Sequence, residues 1–373
     1  MRVLIAPDSF KGALSSSRVA TAIAQGLLAA VPDIDITLLP LADGGEGTLD
    51  VVANALSNAE WKTGVVQDPL GRAIQASWLW QPKEKTAIIG LAQASGHHLL
   101  TATERLPLRT STRGSGQQIY AALELGAEQI VIALGGSATV DGGTGIARAL
   151  GARFLDRDGV ELPNGGGALH RLHRIDTSGL HPRVKDVIFQ CLVDVANPLL
   201  GPMGAATVYG PQKGASPQDV SQLEAGLRQL AHVAGVAFNL AGVETQPGAG
   251  SAGGCPAGLR WFCQAQWVSG ADRILDLVDI ESLIESTDLV ITGEGCIDQQ
   301  TVQGKLVYAL AKRTQDKAPI WAIVGQRQHG WESMAHLLSR VDALVDHTSS
   351  EEEAISTAES LLADVTARGV SAF

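Results

Sequence analysis

Cysteine is scarce in this sequence, and its spacing excludes the common zinc-binding and disulfide-rich classes. The four cysteines (Cys191, Cys255, Cys263 and Cys296) form no CxxC pair and no zinc-ligand spacing. No run approaches the ~20 consecutive apolar residues that cross a membrane, and the apolar part of the first residues is too short for a signal peptide. We therefore predict a cytoplasmic protein with reduced thiols and no membrane partner.

Basic clusters are also missing. The chain carries 28 lysines and arginines against 39 aspartates and glutamates, which gives a net charge of −11. Nucleic-acid binding needs a basic patch or stripe, so we predict no nucleic-acid partner. The acidic excess favours solubility, with a smaller contribution from carboxylates that bind metal, and we expect a monomer or a homodimer.

The common catalytic and nucleotide-binding motifs are absent as well. The sequence contains no Walker A motif, no GxSxG elbow, and no HRD or DFG motif of protein kinases. Residues 248–253 fit the spacing GxGxxG, but they follow Gln246 and Pro247 and not a strand, so the dinucleotide-binding interpretation lacks its required context. An enzyme of this sequence that uses a nucleotide would belong to none of the common nucleotide-binding classes.

Glycine, in contrast, is abundant, with 42 residues, above the usual ~7%. Because 45% of residues are hydrophobic and no Gly-X-Y period exists, the chain is neither disordered nor collagen-like. The glycines therefore belong to tight loops, which suits a backbone that closely approaches a ligand. The length of 373 residues predicts two or three domains with a real core.

The order of apolar runs predicts an α/β fold. Residues 3–6 and 34–39 are short strands, each followed through a short loop by a helical pattern, which is typical of a parallel sheet with right-handed crossovers. From about residue 60, short strand-like runs follow one another without a long helix, which indicates antiparallel pairing.

The two ends of the chain share one pattern. The later part contains further β-α-β units and a closing amphipathic helix, with strands at 289–292, 320–324 and 343–346 and the helix at 351–368. We therefore predict a discontinuous Rossmann- or flavodoxin-like parallel-sheet domain from residues 1–66 and 286–373. A second, mixed α/β domain of residues 67–285 is inserted into it, and we expect the active site in the cleft between the two domains.

Loops that combine glycine with acidic residues follow four apolar strands, after Leu39, Leu134, Val193 and Thr292. Glycines bring backbone N–H groups close to oxyanions at the start of a helix, and carboxylates beside bound phosphates are the usual ligands of Mg²⁺. Ordinary strand–helix turns also contain Gly and Asp, so a single loop fits an ordinary turn as well as it fits a phosphate and Mg²⁺ site. The repetition favours a site for phosphates and Mg²⁺.

Lysines accompany these loops. Lys11 lies after the first strand, where it would neutralise a phosphate or a substrate carboxylate; the alternative is a solvated loop residue, as most lysines are. Lys213 is more suggestive, because glycine and proline beside it make its loop rigid. Lys305, at a helix start, is a weaker case of the same pattern.

A series of motifs resembles the bacterial glycerate kinase type I family. The motifs run in order from near the N-terminus to beyond residue 305 and together are highly specific, for example Ala-Pro-Asp-Ser-Phe-Lys-Gly and Ala-Asp-Gly-Gly-Glu-Gly-Thr. The matching segments are residues 6–12, 42–48, 68–72, 110–112, 135–139, 141–143, Asp194, 197–202, 210–215 and 293–301.

This resemblance implies ATP-dependent phosphorylation of D-glycerate, generally to 2-phosphoglycerate, in an enzyme of two α/β domains. ATP and Mg²⁺ are then the expected cofactors, and glycerate and ATP the small-molecule partners. We predict that Lys11, with Ser9, contacts the glycerate carboxylate or the transferred phosphoryl group, and that Lys213 contacts the phosphates of ATP.

Acidic residues of the same motifs take the remaining roles. Glu294 and Asp298 are the predicted Mg²⁺ ligands, with Glu46 as a further candidate. Asp194 is the predicted base for the glycerate hydroxyl, and Asp43 is the alternative. Hydroxyl groups and glycine backbones of these loops are the predicted donors to phosphate or substrate, namely Gly44, Gly45, Thr110, Ser111, Thr112, Ser137 and Thr139.

The sequence departs from the family pattern in places. An arginine is usual where Cys296 stands, an asparagine where Val140 stands and a glutamate where Gly90 stands, and the expected proline after Lys305 is missing. Loss of a charged hydrogen bond to an anion costs roughly 1.5–3 kcal/mol, which weakens activity without abolishing it. Two alternatives stay open: a catalytically impaired paralogue that binds glycerate or a nucleotide as a regulator, and a kinase for another small hydroxy acid.

Overall fold

A computed structural model of the chain describes residues 1–42, 44–45, 47–56, 58–302 and 304–373. The chain divides into two compact units. The terminal unit comprises Met1–Asp43, Asp50–Leu56 and Ser269–Phe373, and the inserted unit comprises Gly44–Leu49 and Ser57–Val268.

Strands and helices alternate along much of the chain. The strands are β1 (Arg2–Ile5), β2 (Asp35–Leu38), β3 (Glu60–Gln67), β4 (Ala73–Gln81), β5 (Thr86–Gly90), β6 (Gln129–Ala133), β7 (Arg153–Leu155), β8 (Arg174–Asp176), β9 (Ile188–Leu192), β10 (Gln266–Val268), β11 (Leu289–Thr292), β12 (Cys296–Ile297), β13 (Ile320–Val324), β14 (Gln326–Arg327) and β15 (Arg340–Ala343). The α-helices are α1 (Ser16–Ala30), α2 (Thr48–Ala55), α3 (Ala92–Ser95), α4 (Arg113–Glu124), α5 (Thr144–Ala149), α6 (Ala205–Tyr209), α7 (Pro217–Ala237), α8 (Ser251–Cys263), α9 (Gly270–Leu277), α10 (Ile280–Glu285), α11 (Gln299–Val302), α12 (Leu306–Thr314), α13 (Glu351–Ser356) and α14 (Ala358–Gly369).

A five-stranded parallel sheet forms the centre of the terminal unit, in the flavodoxin-like order β15-β13-β11-β1-β2. The Val, Leu and Ile residues of β1 and β11 are buried, as expected for strands covered on both faces. The chain passes from β1 to β2 on one side, and β11 lies on the other side, so the strand order reverses between β1 and β11. Ligands bind at such a strand-order reversal, outside the carboxyl ends of the strands.

Helices α1 and α14 pack on this sheet and on each other. The buried side chains that they contribute to the common core include Val19, Ile23, Leu27, Leu362 and Val365. A Cβ atom on Gly26 would lie 2.2 Å from the carbonyl oxygen of Ala363. Only glycine therefore allows the two helices to approach this closely.

A six-stranded mixed sheet forms the centre of the inserted unit, in the order β10-β9-β6-β5-β4-β3. Strands β10, β9, β6 and β5 run parallel, whereas β5 pairs with β4, and β4 with β3, in the antiparallel sense. The predicted α/β class and the antiparallel pairing of the runs after residue 60 are confirmed. Because β6 and β9 are parallel neighbours, the loops that follow them leave the same edge of the sheet.

Two predicted elements near the C-terminus are wrong. The strand predicted at 343–346 lies earlier, as β15, and is followed by a 3₁₀ helix. The charged residues of β15 masked its strand pattern in the sequence. In the structure they satisfy each other: Arg340 pairs with Asp342 at 2.5 Å, and Asp342 accepts from the Trp321 indole at 2.6 Å. The single helix predicted at 351–368 is two helices, because Thr357 adopts φ −108° and ψ 10° between them.

Within the described ranges, no helix combines the length and the apolar character that a membrane crossing needs.

Candidate functional site

Two loops run side by side at the strand-order reversal of the terminal unit, one after β1 and one after β11. Backbone hydrogen bonds join them: Ala6 N donates to Ile291 O and Asp8 N donates to Gly293 O, both at 2.8 Å. The Thr292 hydroxyl donates to the carbonyl oxygen of Ala6, also at 2.8 Å. The side chains that follow the two strands are therefore held next to one another.

Glycine makes this arrangement possible. A Cβ atom on Gly293 would lie 2.0 Å from the carbonyl oxygen of Ile323, and one on Gly325 would lie 2.3 Å from that of Gly295. No L side chain fits at these distances. The glycines of the motif after β11 thus bring its acidic residues against the neighbouring strands.

These loops line a cavity of about 210 Å³ within the terminal unit. Its charged and polar lining residues are Asp8, Ser9, Lys11, Glu294, Cys296, Asp298, Lys305, Gln326 and Glu351. The structure therefore brings together the predicted residues Ser9, Lys11, Glu294 and Asp298, which come from opposite ends of the chain. Lysines beside carboxylates can receive a phosphate group together with its metal counter-ion.

Glu294 is a buried carboxylate of this cavity, with 6% of its surface exposed. The Thr301 hydroxyl donates to its Oε1 atom at 2.7 Å. Burial raises the pKa of Glu294 to about 7; Thr301 and Lys305 oppose this rise, and Asp8 and Asp298 add to it. A cation placed beside this carboxylate would favour its ionised form.

Asp298 has a structural role in addition to its place in the cavity. Its Oδ1 atom accepts from the backbone N–H of Gln300 at 2.7 Å and from that of Thr301 at 3.0 Å. Asp298 therefore caps the turn of α11. The Lys305 ammonium lies 3.9 Å from the same oxygen, which adds a positive charge at this edge of the cavity.

The two carboxylates fit the chemistry of a magnesium site. Mg²⁺ needs only one or two protein carboxylates when phosphate oxygens and water complete its coordination, and Glu294 and Asp298 line the same cavity. Across the residues that the structure describes, no group of three or more His, Cys, Asp or Glu side chains is arranged to hold a metal ion. Glu46, the further metal candidate, and Asp43, the alternative base, lie outside the described residues.

Lys213 is buried in the inserted unit, with 5% of its surface exposed. It ends a short 3₁₀ turn and is followed by Gly214 at φ +98°. The Lys213 ammonium donates to Ser137 Oγ at 2.9 Å and to the carbonyl oxygen of Thr139 at 2.8 Å, which joins it to the loop after β6. Burial lowers the pKa of Lys213 to about 8, and the Asp141 carboxylate partly opposes this.

The hydroxyl-rich segment Thr110, Ser111 and Thr112 is buried. Asp141 accepts from the Thr112 backbone N–H at 2.8 Å and from the Thr112 hydroxyl at 2.9 Å, and also from backbone N–H groups at the start of α5 at 3.1 Å. The Thr110 hydroxyl donates to a backbone carbonyl of the loop after β6 at 2.9 Å. Burial raises the pKa of Asp141, against the lowering effect of these hydrogen bonds. These groups fix the loop, and their contact with phosphate stays a prediction.

The other predicted residues of the inserted unit lie at the carboxyl edge of its sheet. Asp194 is exposed shortly after β9. Gly44, at φ +95° and followed by Gly45, packs beside it: a Cβ atom on Gly44 would lie 3.5 Å from Asp194 Oδ2. The carbonyl oxygen of Gly44 accepts from Gly135 N at 3.3 Å. The structure thus brings three of the predicted glycine–acid loops together.

Two residues that organise these sites were missed from sequence, although both lie in the family motifs. Thr301 follows Asp298 by three residues, which is the pattern of a capped turn, and Asp141 precedes two glycines and a helix. At the positions that depart from the family pattern, Cys296 lines the cavity, Val140 is fully buried in the inserted unit and Gly90 ends β5.

Comparison with known proteins gives one family over the whole chain. The model of the glycerate kinase family matches residues 3–373. The chain is 43% identical to the glycerate kinase of Halalkalibacterium halodurans over 364 residues, which cover 96% of this chain and 95% of that protein. It is 42% identical to the glycerate 2-kinase of Escherichia coli over 356 residues, 92% of each chain.

A solved structure agrees with these relatives. The crystal structure of an inferred glycerate kinase 2 from Salmonella typhimurium LT2 matches with a TM-score of 0.84 at 37% identity, covering 100% of this chain and 98% of that one. The resemblance predicted from the motifs is confirmed. The chain therefore belongs to the glycerate kinase family and is a kinase.

Proposed function

We propose that the protein transfers the γ-phosphoryl group of ATP to the 2-hydroxyl of D-glycerate, giving 2-phosphoglycerate and ADP. The strongest support is the match, over 92% of both chains, with a relative named glycerate 2-kinase. The cavity at the strand-order reversal of the terminal unit has suitable chemistry, because lysines and carboxylates line it together.

In the terminal unit, Lys11 and Ser9 are the proposed contacts of an anionic group, either the glycerate carboxylate or the transferred phosphoryl group. Phosphoryl transfer depends mainly on positioning and on neutralisation of charge. Both residues line the cavity, and Lys305 brings a second ammonium to its edge. The two lysines would offset the negative charge of the reacting groups.

Glu294 and Asp298 would hold Mg²⁺, directly or through water. When bound, Mg²⁺ neutralises charge on the phosphate oxygens. Thr301 orients the Glu294 carboxylate through Oε1, and the backbone N–H groups of α11 orient Asp298. The chain thereby positions both carboxylates before any ligand binds.

In the inserted unit, Lys213 would bind the phosphates of ATP, with Ser137 as a neighbouring donor. Asp194 would accept the proton of the 2-hydroxyl. As this proton moves to the carboxylate, the hydroxyl oxygen forms its bond to the γ-phosphorus, and the bond from that phosphorus to the oxygen of ADP breaks. Asp194 is exposed beyond β9, where a substrate can reach it.

A coupled assay of ADP release tests this proposal. The full chain is given ATP, Mg²⁺ and, in turn, D-glycerate, L-glycerate and other small hydroxy acids. We expect the highest kcat/KM with D-glycerate. A higher kcat/KM with another hydroxy acid would support the alternative substrate, and no ADP release with any of them would support the catalytically impaired regulator.

A further inference from the structure

Arg105, in the inserted unit, has a buried donor that the described residues do not satisfy. Its Nε–H is buried and meets no acceptor among them, and its guanidinium forms no ion pair with them. The adjacent residue Glu104 pairs instead with Arg72, at 2.6 Å. A buried N–H without an acceptor is unfavourable, and an acceptor supplied by a ligand would relieve this.

Arg105 packs directly against the loop that carries Lys213. A Cβ atom on Gly214 would lie 2.3 Å from the carbonyl oxygen of Arg105 and 3.0 Å from its Cβ. Gly214 adopts φ +98°, so the residue after Lys213 has both the conformation and the close contact that favour glycine. The two cationic residues therefore extend from backbone segments in contact with each other.

The hydrogen-bond partners of Lys213 are neutral. Its ammonium donates to the Ser137 hydroxyl and to the carbonyl oxygen of Thr139, which uses two of its three protons. Ser137 accepts from Lys213 and therefore keeps its own hydroxyl proton for another acceptor. The Thr139 Oγ1 atom is buried and has no hydrogen-bond partner in the described part of the chain.

We propose that Arg105 and Lys213 together bind one oxyanion, with the hydroxyl of Ser137 as a further donor. A planar guanidinium, an ammonium and a hydroxyl together suit the charge and the multiple acceptor sites of a phosphate or a carboxylate. This oxyanion subsite rests on the proposed function, whose substrates supply both groups: the phosphates of the nucleotide and the carboxylate of glycerate. Arg105 is thereby assigned a binding role that none of the motifs indicated.

Steady-state kinetics of the full chain distinguish the two sources. Arg105→Met removes the charge and keeps an unbranched stem, and Arg109→Met is the matched control, because Arg109 is exposed in the same segment. We expect R105M to raise the KM of one substrate, ATP or D-glycerate, by about 10- to 100-fold, and R109M to change neither. The substrate whose KM rises identifies the oxyanion; unchanged KM values for both, or an equal rise in both, would contradict the subsite.

Calorimetric titration separates this inference from the proposed function, because it needs no turnover. Inorganic pyrophosphate and D-glycerate are the probes. Weaker binding of one probe to R105M but not to R109M supports the subsite even if no glycerate is phosphorylated. Equal binding to R105M and the wild type, or no binding of either probe to the wild type, overturns it. Arg105→Lys keeps the charge but not the planar fork, so we expect intermediate affinity, and it replaces R105M if that variant does not fold.

Discussion

At the scale of single residues, buried charged groups dominate both candidate sites. Glu294 in the terminal unit and Lys213 in the inserted unit are each at least nine-tenths buried. Each is hydrogen-bonded to a neutral group: Glu294 accepts from the Thr301 hydroxyl, and Lys213 donates to the Ser137 hydroxyl. Such groups are typical of functional sites, where a ligand of opposite charge stabilises the ionised form.

Lys213 should make the stability of the protein depend on alkaline pH. Its pKa of about 8 in the folded chain lies below the ordinary 10.5, so between these values the unfolded chain binds more protons and the contribution of Lys213 to the free energy of unfolding rises with pH. Lys213→Met removes this contribution. We expect the free energy of unfolding of the wild type, relative to K213M, to increase by about 3 kcal/mol from below pH 8 to above pH 10.5.

Urea denaturation across this pH range measures the effect. Lys185→Met is the matched control, because Lys185 is an exposed lysine of the same unit. A difference between the wild type and K213M that does not change with pH would show that Lys213 is not a desolvated cation.

Thr301 should stabilise the terminal unit through its hydroxyl. Thr301→Val keeps the volume but removes the hydroxyl that donates to Glu294 at 2.7 Å and accepts from the Asp298 backbone N–H at 3.1 Å. We expect the free energy of unfolding at neutral pH to fall by about 1–2 kcal/mol, because a buried carboxylate loses a donor. Chemical denaturation measures this, with Thr37→Val, exposed on β2, as the control. Equal stability of the two variants would contradict the role assigned to Thr301.

At the scale of elements, one carboxylate joins three segments of the inserted unit. Asp141 accepts from Thr112 and from the backbone at the start of α5, and its charge also acts on Lys213 in the neighbouring turn. The loop after β6 is therefore fixed to the segments on either side of it. Neutral hydrogen-bond donors therefore satisfy this fully buried carboxylate.

Replacement of this carboxylate by an amide should loosen all three segments. Asp141→Asn places an NH₂ group against N–H and O–H donors, so at least one of them loses its acceptor. We expect a loss of about 2–4 kcal/mol in the free energy of unfolding, measured by chemical denaturation. Asp158→Asn, at an exposed aspartate of the same unit, is the control; if D141N is as stable as D158N, Asp141 does not join these elements.

At the scale of the whole molecule, the parts that could be predicted from sequence are those with a local pattern. The apolar runs of β1 and β11 are continuous because these strands are covered on both faces, and glycine loops follow them at the edge where ligands bind. The partner of a hydroxyl has no local sequence pattern. The sequence around Thr112 is the same whether its hydroxyl contacts a phosphate or, as in the structure, Asp141. Arg105 was missed because its position depends on contact with Gly214, which is distant in sequence.

The family match covers residues 3–373 and so concerns the chain as a whole. The central claim to test is therefore the reaction, the phosphorylation of D-glycerate on its 2-hydroxyl. Proton-coupled ³¹P nuclear magnetic resonance of a mixture of the protein, ATP, Mg²⁺ and D-glycerate reports which oxygen carries the new phosphate. We predict a new phosphomonoester signal split into a doublet, because phosphorus on the 2-oxygen couples to one proton. A triplet would place the phosphate on the 3-oxygen, and the absence of any new phosphomonoester signal would contradict phosphorylation of glycerate altogether.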